Sequence, residues 1–93
     1  MNEPRRIHGF VSGRVQGVGF RYFTQQTATE LGVTGWVKNT YDGKVEFVAE
    51  GTEEQLTKFR RKLSRGPASA YVSDLTVENI SGKGEFSTFR VRF

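Results

Sequence analysis

A glycine-rich segment at residues 13–21 combines residue types that could bind an anion. It reads Gly-Arg-Val-Gln-Gly-Val-Gly-Phe-Arg. Gly17 and Gly19 permit backbone conformations that other residues resist, and they let a ligand approach the main chain closely. If a helix begins directly after them, its first amides lack an internal partner and favour a negative group. Arg21 would add a planar cation that matches phosphate oxygens, so the segment predicts a phosphate-binding loop.

The same loop differs from two nucleotide-binding motifs. No Gly-Lys-Ser/Thr follows it, as a P-loop requires, and Tyr22 stands where a dinucleotide fingerprint has its third glycine. Glycines also occur at strand-to-helix turns for steric reasons alone, so the loop by itself leaves a purely structural role open.

Asn39 is the second candidate for chemistry. In a strand, Gly35, Val37 and Asn39 share one face because side chains alternate with period two. A carboxamide on an apolar face needs hydrogen-bond partners. Two interpretations follow: Asn39 caps the strand and begins a turn, or its side chain points at a water or a substrate oxygen.

The composition excludes several other kinds of chemistry. The 93 residues contain no Cys, which excludes disulfides, a thiol nucleophile and Cys-ligated metal. The single histidine, His8, falls in the predicted first strand and is interpreted as a surface or hydrogen-bonded side chain. The carboxylates show no ligand spacing, so we expect neither a metal nor a cofactor.

Hydrophobic patterning predicts the elements that position these candidates. Strands are predicted at residues 6–12, 33–39, 44–51, 71–80 and 86–93, with a hairpin turn at Asp42-Gly43. A helix is predicted from Phe20 to Leu31, ended by Gly32, and a second one follows a Thr52–Gln55 capping box and ends at Gly66-Pro67.

The predicted faces of these elements are as follows. The buried stripes of the two helices are Phe20, Phe23, Thr27 and Leu31, and Leu56, Phe59 and Leu63. In strand 44–51, Val45, Phe47 and Ala49 face the core, whereas Lys44, Glu46 and Glu50 face solvent. The element order predicts an α+β fold, a ferredoxin-like βαββαβ sandwich. Two helices cover one face of a mostly antiparallel sheet with an extra C-terminal strand, in one domain over residues 1–93.

Residues 15–21 and 35–39, taken together at their spacing, resemble the signature of the acylphosphatase family. The resemblance extends from about Arg6 to Phe93. It implies the ferredoxin-like fold and hydrolysis of acyl phosphates to a carboxylate and inorganic phosphate. It also implies that Asn39 orients the attacking water and that the phosphate itself can accept the proton. The phosphate would be bound by Arg21 and the backbone amides of Gln16, Gly17, Val18, Gly19 and Phe20.

The charge and the apolar runs bear on partners and location. The net charge of +4 favours anionic partners without choosing among them. With the resemblance, we expect a small acyl phosphate as substrate, inorganic phosphate or sulfate as a site ligand, and no nucleic acid. No apolar run approaches about 18 residues and no signal peptide is evident, so we expect a cytoplasmic protein without membrane contact. At this size a monomer is the default.

Two alternatives share the predicted fold. One is an RNA-binding module, since the chain is basic and rich in aromatic residues. Residues 44–50 lack the RNA-recognition pattern, however, and they place Glu46 and Glu50 on the presumed exposed face. The other is a non-catalytic anion-binding module. The basic stretch at residues 58–65 is interpreted as a solvated helix face.

Overall fold

The computed structural model describes residues 4–82 and 84–93. Five strands form one sheet in the order β4-β1-β3-β2-β5, in which β5 runs parallel to β2 and all other neighbours are antiparallel. The two helices pack on each other and on this sheet. The predicted α+β ferredoxin-like fold with an extra C-terminal strand is thus confirmed. The elements are β1 (Arg5–Arg14), α1 (Phe20–Leu31), β2 (Thr34–Asn39), β3 (Val45–Gly51), α2 (Glu53–Arg65), β4 (Tyr71–Ile80) and β5 (Phe89–Arg92).

The buried faces of the helices agree with the sequence in α2 and differ in α1. In α2, Leu56, Phe59 and Leu63 are buried as predicted. In α1 the buried residues are Phe20, Thr24, Thr27 and Ala28, whereas the predicted Phe23 and Leu31 are only partly buried. The predicted stripe did not include Thr24; its hydroxyl donates to the Phe20 carbonyl at 2.9 Å, which satisfies this polar group inside the core.

Two strand boundaries also differ from the prediction by more than one residue. β1 continues through Gly13 and Arg14, which pair with Val72 and Tyr71 of β4 after a register shift between Ser12 and Gly13. Gly13, with φ 122°, permits that irregularity, so the loop begins two residues later than predicted. The last strand is four residues long and begins at Phe89, not residue 86.

The prediction that Glu50 faces solvent was wrong. Its side chain is only 5% exposed, because the Arg6 guanidinium hydrogen-bonds to one carboxylate oxygen and the Gly84 amide donates to the other at 2.9 Å. Arg6 also contacts the Glu85 carboxylate at 2.6 Å. The bond to Glu50 holds the pKa of Arg6 above its ordinary value. Residues 81–82 and 84–86 therefore cover part of the sheet face that the sequence predicted to be wet.

We expect Arg6→Ala to lower the free energy of unfolding by about 2–3 kcal/mol. Removing one partner of a buried ion pair costs about 3–5 kcal/mol, and the smaller value allows for the 10% exposure of Arg6. Arg5→Ala is the matched control, because the contact between Arg5 and Glu53 spans 3.5 Å between largely exposed side chains and is worth about 0–1 kcal/mol. Urea unfolding measures both; equal losses in the two variants would contradict the prediction.

Candidate active site

Three strands end at the same end of the sheet, and this places the predicted site residues together. β1 and β2 are each antiparallel to β3, so their carboxyl ends, at Arg14 and Asn39, point the same way. β5 is parallel to β2, and the ladder finishes with Lys38 opposite Arg92. Phe93 therefore follows at the end of the sheet where Asn39 lies and where the chain turns from β1 into α1.

The loop before α1 has the backbone that its glycines predicted. Gly17 and Gly19 adopt φ values of 75° and 76°, in the left-handed region that favours glycine. A Cβ built at either position would meet nothing within 4 Å. Their faces are thus open, and a ligand can approach the main chain there.

The first turn of α1 lacks the groups that usually satisfy a helix N-terminus. Gly19 is its N-cap, with no side-chain cap hydrogen bond and no acidic residue in the first turn. The helix α2 in the same chain shows the contrast, with a Thr52–Gln55 capping box followed by Glu53 and Glu54. The positive end of the α1 dipole and its first amides are therefore available to an anion.

Arg21 is fixed at this end of the sheet by the last residues of the chain. Its Nη1 donates to the Arg92 carbonyl at 3.5 Å, and its guanidinium carbon lies 4.7 Å from the centre of the Phe93 ring. Stacking on an aromatic ring holds a guanidinium plane while leaving other donors free. Arg21 thus presents a held cation beside the uncapped helix end.

Asn39 lies on the helix-facing side of β2, as the period of two predicted, together with the buried Gly35 and Val37. Its Oδ1 is buried and has no hydrogen-bond partner within the described residues. A buried polar atom without a partner costs free energy of about 1–3 kcal/mol. This arrangement favours a carboxamide that is used by a ligand over one that merely caps the strand.

A cleft of about 340 Å³ brings most of the predicted residues together. Gly17, Gly19, Phe20, Arg21 and Asn39 all line it. Gln16 and Val18 are not among the described residues that line the cleft. Instead, Gln16 Nε2 donates to the carbonyls of Thr40 (2.9 Å) and Lys44 (2.8 Å), and the Val18 carbonyl accepts from the Ser69 hydroxyl at 3.0 Å. These bonds tie the loop to the turn after Asn39 and to the segment before β4.

Four further residues that sequence reasoning did not place at the site also line the cleft: Val15, Tyr22, Val91 and Phe93. Tyr22 follows Arg21 directly in the sequence, so its place near the site could have been predicted from the motif. The alternation of Val91 and Phe93 in the last strand was visible, but only the parallel pairing of β5 with β2 brings them to this end of the sheet.

The other ionisable groups of the described residues lie outside the cleft. His8 lies on β1 and its Nε2 is 2.7 Å from Glu46 Oε2, so its interpretation as a hydrogen-bonded side chain is confirmed. Residues 4–82 and 84–93 hold no cluster of three His, Cys, Asp or Glu side chains that could bind a metal ion. That the reaction needs no metal stays a prediction. No helix in the described ranges is long and apolar enough to cross a bilayer.

Comparison with known proteins assigns the chain to a family. The acylphosphatase family model matches residues 7–91. An acylphosphatase of Syntrophotalea carbinolica is 47% identical over 91 residues, which are 98% of this chain and 99% of that protein.

Two solved structures show the same fold in proteins of that name. The acylphosphatase from Coxiella burnetii superposes with a TM-score of 0.92 at 44% identity, covering 98% of this chain and 94% of the other. The acylphosphatase from Bacillus subtilis gives a TM-score of 0.92 at 37% identity, covering 98% and 100%. With sequence and fold in agreement along nearly its whole length, the chain belongs to the acylphosphatase family and is an enzyme of that family.

Proposed function

We propose that the cleft binds the phosphoryl group of an acyl phosphate and directs a water molecule at its phosphorus. Phosphoryl transfer depends mainly on positioning and on stabilising charge on the phosphoryl oxygens. Arg21 and the backbone amides from Gln16 to Phe20 would hold those oxygens; among these residues Gly17, Gly19, Phe20 and Arg21 line the cleft, whereas Gln16 and Val18 do not. The support is the open face of Gly17 and Gly19 together with the uncapped first turn of α1.

Asn39 would orient the attacking water, and the observation that carries this role is its buried Oδ1. That atom lacks a partner within the described residues and belongs to a side chain that lines the cleft of Arg21. A water in the cleft that donates to Oδ1 would satisfy the atom and would lie beside the phosphoryl group. Such positioning of a reactant contributes to the rate because it lowers the entropy that the reaction must lose.

The leaving group explains why the described part of the cleft can work without a general acid. Water forms a bond to phosphorus, the bridging P–O bond breaks, and the carboxylate leaves with its electron pair. A carboxylate is a weak base, so it departs unprotonated, and the protons of water pass to phosphate oxygen and solvent. The described residues that line the cleft include Arg21 and Tyr22 but no Asp, Glu, His or Lys side chain.

The same cleft would bind inorganic phosphate or sulfate, because these anions present the oxygens that the loop recognises.

We propose further that residues 1–93 act as one domain, as a monomer in the cytoplasm, without a metal or cofactor. The support for a single domain is the hydrophobic core that the described helices and strands share.

Hydrolysis of benzoyl phosphate beside benzyl phosphate, in EDTA, tests this proposal. The two substrates share an aromatic group, but benzyl phosphate must expel a strongly basic alkoxide. Because general acid catalysis contributes about 10²–10⁴-fold, we expect benzyl phosphate to react more slowly by at least that factor. Steady-state kcat/KM measures the ratio.

Either of two results would contradict the mechanism. Equal rates on both substrates would mean that a proton donor assists the leaving group. Complete loss of benzoyl phosphate hydrolysis in EDTA, restored by a divalent cation, would mean that a metal takes the role proposed for Arg21.

A further inference from the structure

Two large aromatic side chains stand exposed at the rim of the cleft. Tyr22 is 63% exposed and Phe93 is 98% exposed, and both line the cavity that contains Arg21. Scattered apolar residues on a surface need no explanation, but apolar groups that converge on a polar site indicate a ligand with an apolar part.

The apolar surface continues from these two residues into the cleft. Val91 lies in β5 and Phe93 directly follows this strand, and the two share one side because side chains alternate along an extended chain. Val91 packs against the core and also lines the cavity. Tyr22, Val91 and Phe93 thus form one apolar surface from the rim inward, which we call the acyl wall.

A bound phosphate would bring the acyl group to this wall. A phosphoryl oxygen accepts from a guanidinium at about 2.7–2.9 Å, and the Arg21 guanidinium carbon lies 4.7 Å from the Phe93 ring centre. In an acyl phosphate one bridging oxygen joins phosphorus to the acyl carbon. An acyl group of a few carbons can therefore reach van der Waals contact with the residues around Arg21.

The charges around the cleft disfavour a second anionic group. Among the described lining residues, Arg21 carries the single cationic side chain, and the phosphate would occupy it. Arg92, between Val91 and Phe93, points to the opposite side of the sheet, where its guanidinium carbon lies 4.8 Å from the Trp36 ring centre. A carboxylate on the acyl group would lose hydration in the cleft and gain no cation from the described residues that line it.

We propose that the acyl wall makes this enzyme select acyl phosphates with apolar, above all aromatic, acyl groups over those that carry a second negative charge. The proposal rests on the proposed function, because it takes Arg21 as the phosphate anchor. Tyr22, Val91 and Phe93 determine specificity, and Phe93 in addition positions Arg21.

The test compares kcat/KM for benzoyl, acetyl and succinyl phosphate in the wild type, Tyr22→Ala, Phe93→Ala and the double variant. We expect the wild type to prefer benzoyl, then acetyl, then succinyl phosphate. Differences in apolar contact are worth about 10–200-fold in specificity, so the benzoyl-to-acetyl ratio should fall at least about tenfold in the double variant. Phe93→Leu should retain most of the ratio, since an apolar side chain remains.

Ile80→Ala is the matched control. Ile80 is also an exposed apolar residue, but it pairs with Arg6 at the opposite end of the sheet, so its loss should leave the ratio unchanged. If Phe93→Ala and Tyr22→Ala lower all three kcat/KM values by one factor, these residues act on Arg21 alone and the acyl wall is overturned.

Calorimetric binding of benzylphosphonate and methylphosphonate separates this proposal from the function on which it rests. Tighter binding of benzylphosphonate, lost in the double variant, supports the wall independently of turnover. Hydrolysis of all three acyl phosphates with equal affinity for the two phosphonates overturns the wall and leaves the proposed function intact. Preferential binding of benzylphosphonate by a protein that hydrolyses no acyl phosphate overturns the proposed function instead.

Discussion

Arg21→Ala is expected to lower kcat/KM for benzoyl phosphate by about 10³–10⁵-fold, the contribution of an arginine that stabilises charge in phosphoryl transfer. The side chain combines a planar fork of donors with a fixed orientation against Phe93, and no second cation lines the cleft in the described ranges. Arg21→Lys should recover only a small part of the activity, because an ammonium keeps the charge but loses the bidentate geometry.

Binding of inorganic phosphate provides a second readout for the same variants. The inhibition constant for phosphate should rise in Arg21→Ala in parallel with the loss of activity on benzoyl phosphate. Arg60→Ala, which removes an exposed arginine of α2, controls for the change in net charge and should alter neither value. An Arg21→Ala enzyme that binds phosphate as the wild type does would remove Arg21 from the phosphate site.

Asn39→Ala should lower kcat for benzoyl phosphate by about 10²-fold, the typical cost of losing a group that positions a reactant. The phosphate inhibition constant should change little, because Arg21 and the loop remain. Stability should be equal to that of the wild type or higher, since the variant removes a buried oxygen without a partner among the described residues. Steady-state kinetics and urea unfolding of the same preparation measure these effects.

The comparison of activity with stability decides between the two roles of Asn39 that its position in the sequence leaves open. A residue that caps the strand would cost stability when replaced, whereas a residue that holds a water would cost activity. Asn39→Asp is a useful companion, because it keeps the shape but places a negative charge beside the phosphate. Loss of stability with kcat retained in Asn39→Ala would contradict the proposed role.

The sequence predicted those features of the site that depend on neighbours along the chain. The turn into α1 follows from glycines that adopt positive φ, and α1 begins at Phe20 and ends at Leu31 as its periodicity indicated. Asn39 shares its face with Val37 because a strand alternates by two. In each case a local rule of backbone geometry was sufficient.

Features that depend on contacts between residues far apart along the chain could not be predicted from the sequence. Phe93 reaches Arg21 because a four-residue strand pairs in parallel with β2, and no local pattern states which strand β5 joins. Glu50 was predicted to face solvent by the same alternation that succeeded for Asn39. Its burial results from Arg6 and Gly84, which lie 44 and 34 residues away along the chain.

Because β5 lies at the edge of the sheet, the side of the cleft that it forms should unfold locally more easily than the side formed by β2. β5 has four residues and β2 is the only strand it pairs with in the described sheet, whereas β2, which carries Asn39, lies between two strands. A short edge strand that pairs with one neighbour opens in local fluctuations at a lower free energy than a strand at the centre of a sheet. Heating should therefore erode the discrimination between acyl groups, which Val91 and Phe93 provide, before it erodes the water-positioning half of the cleft.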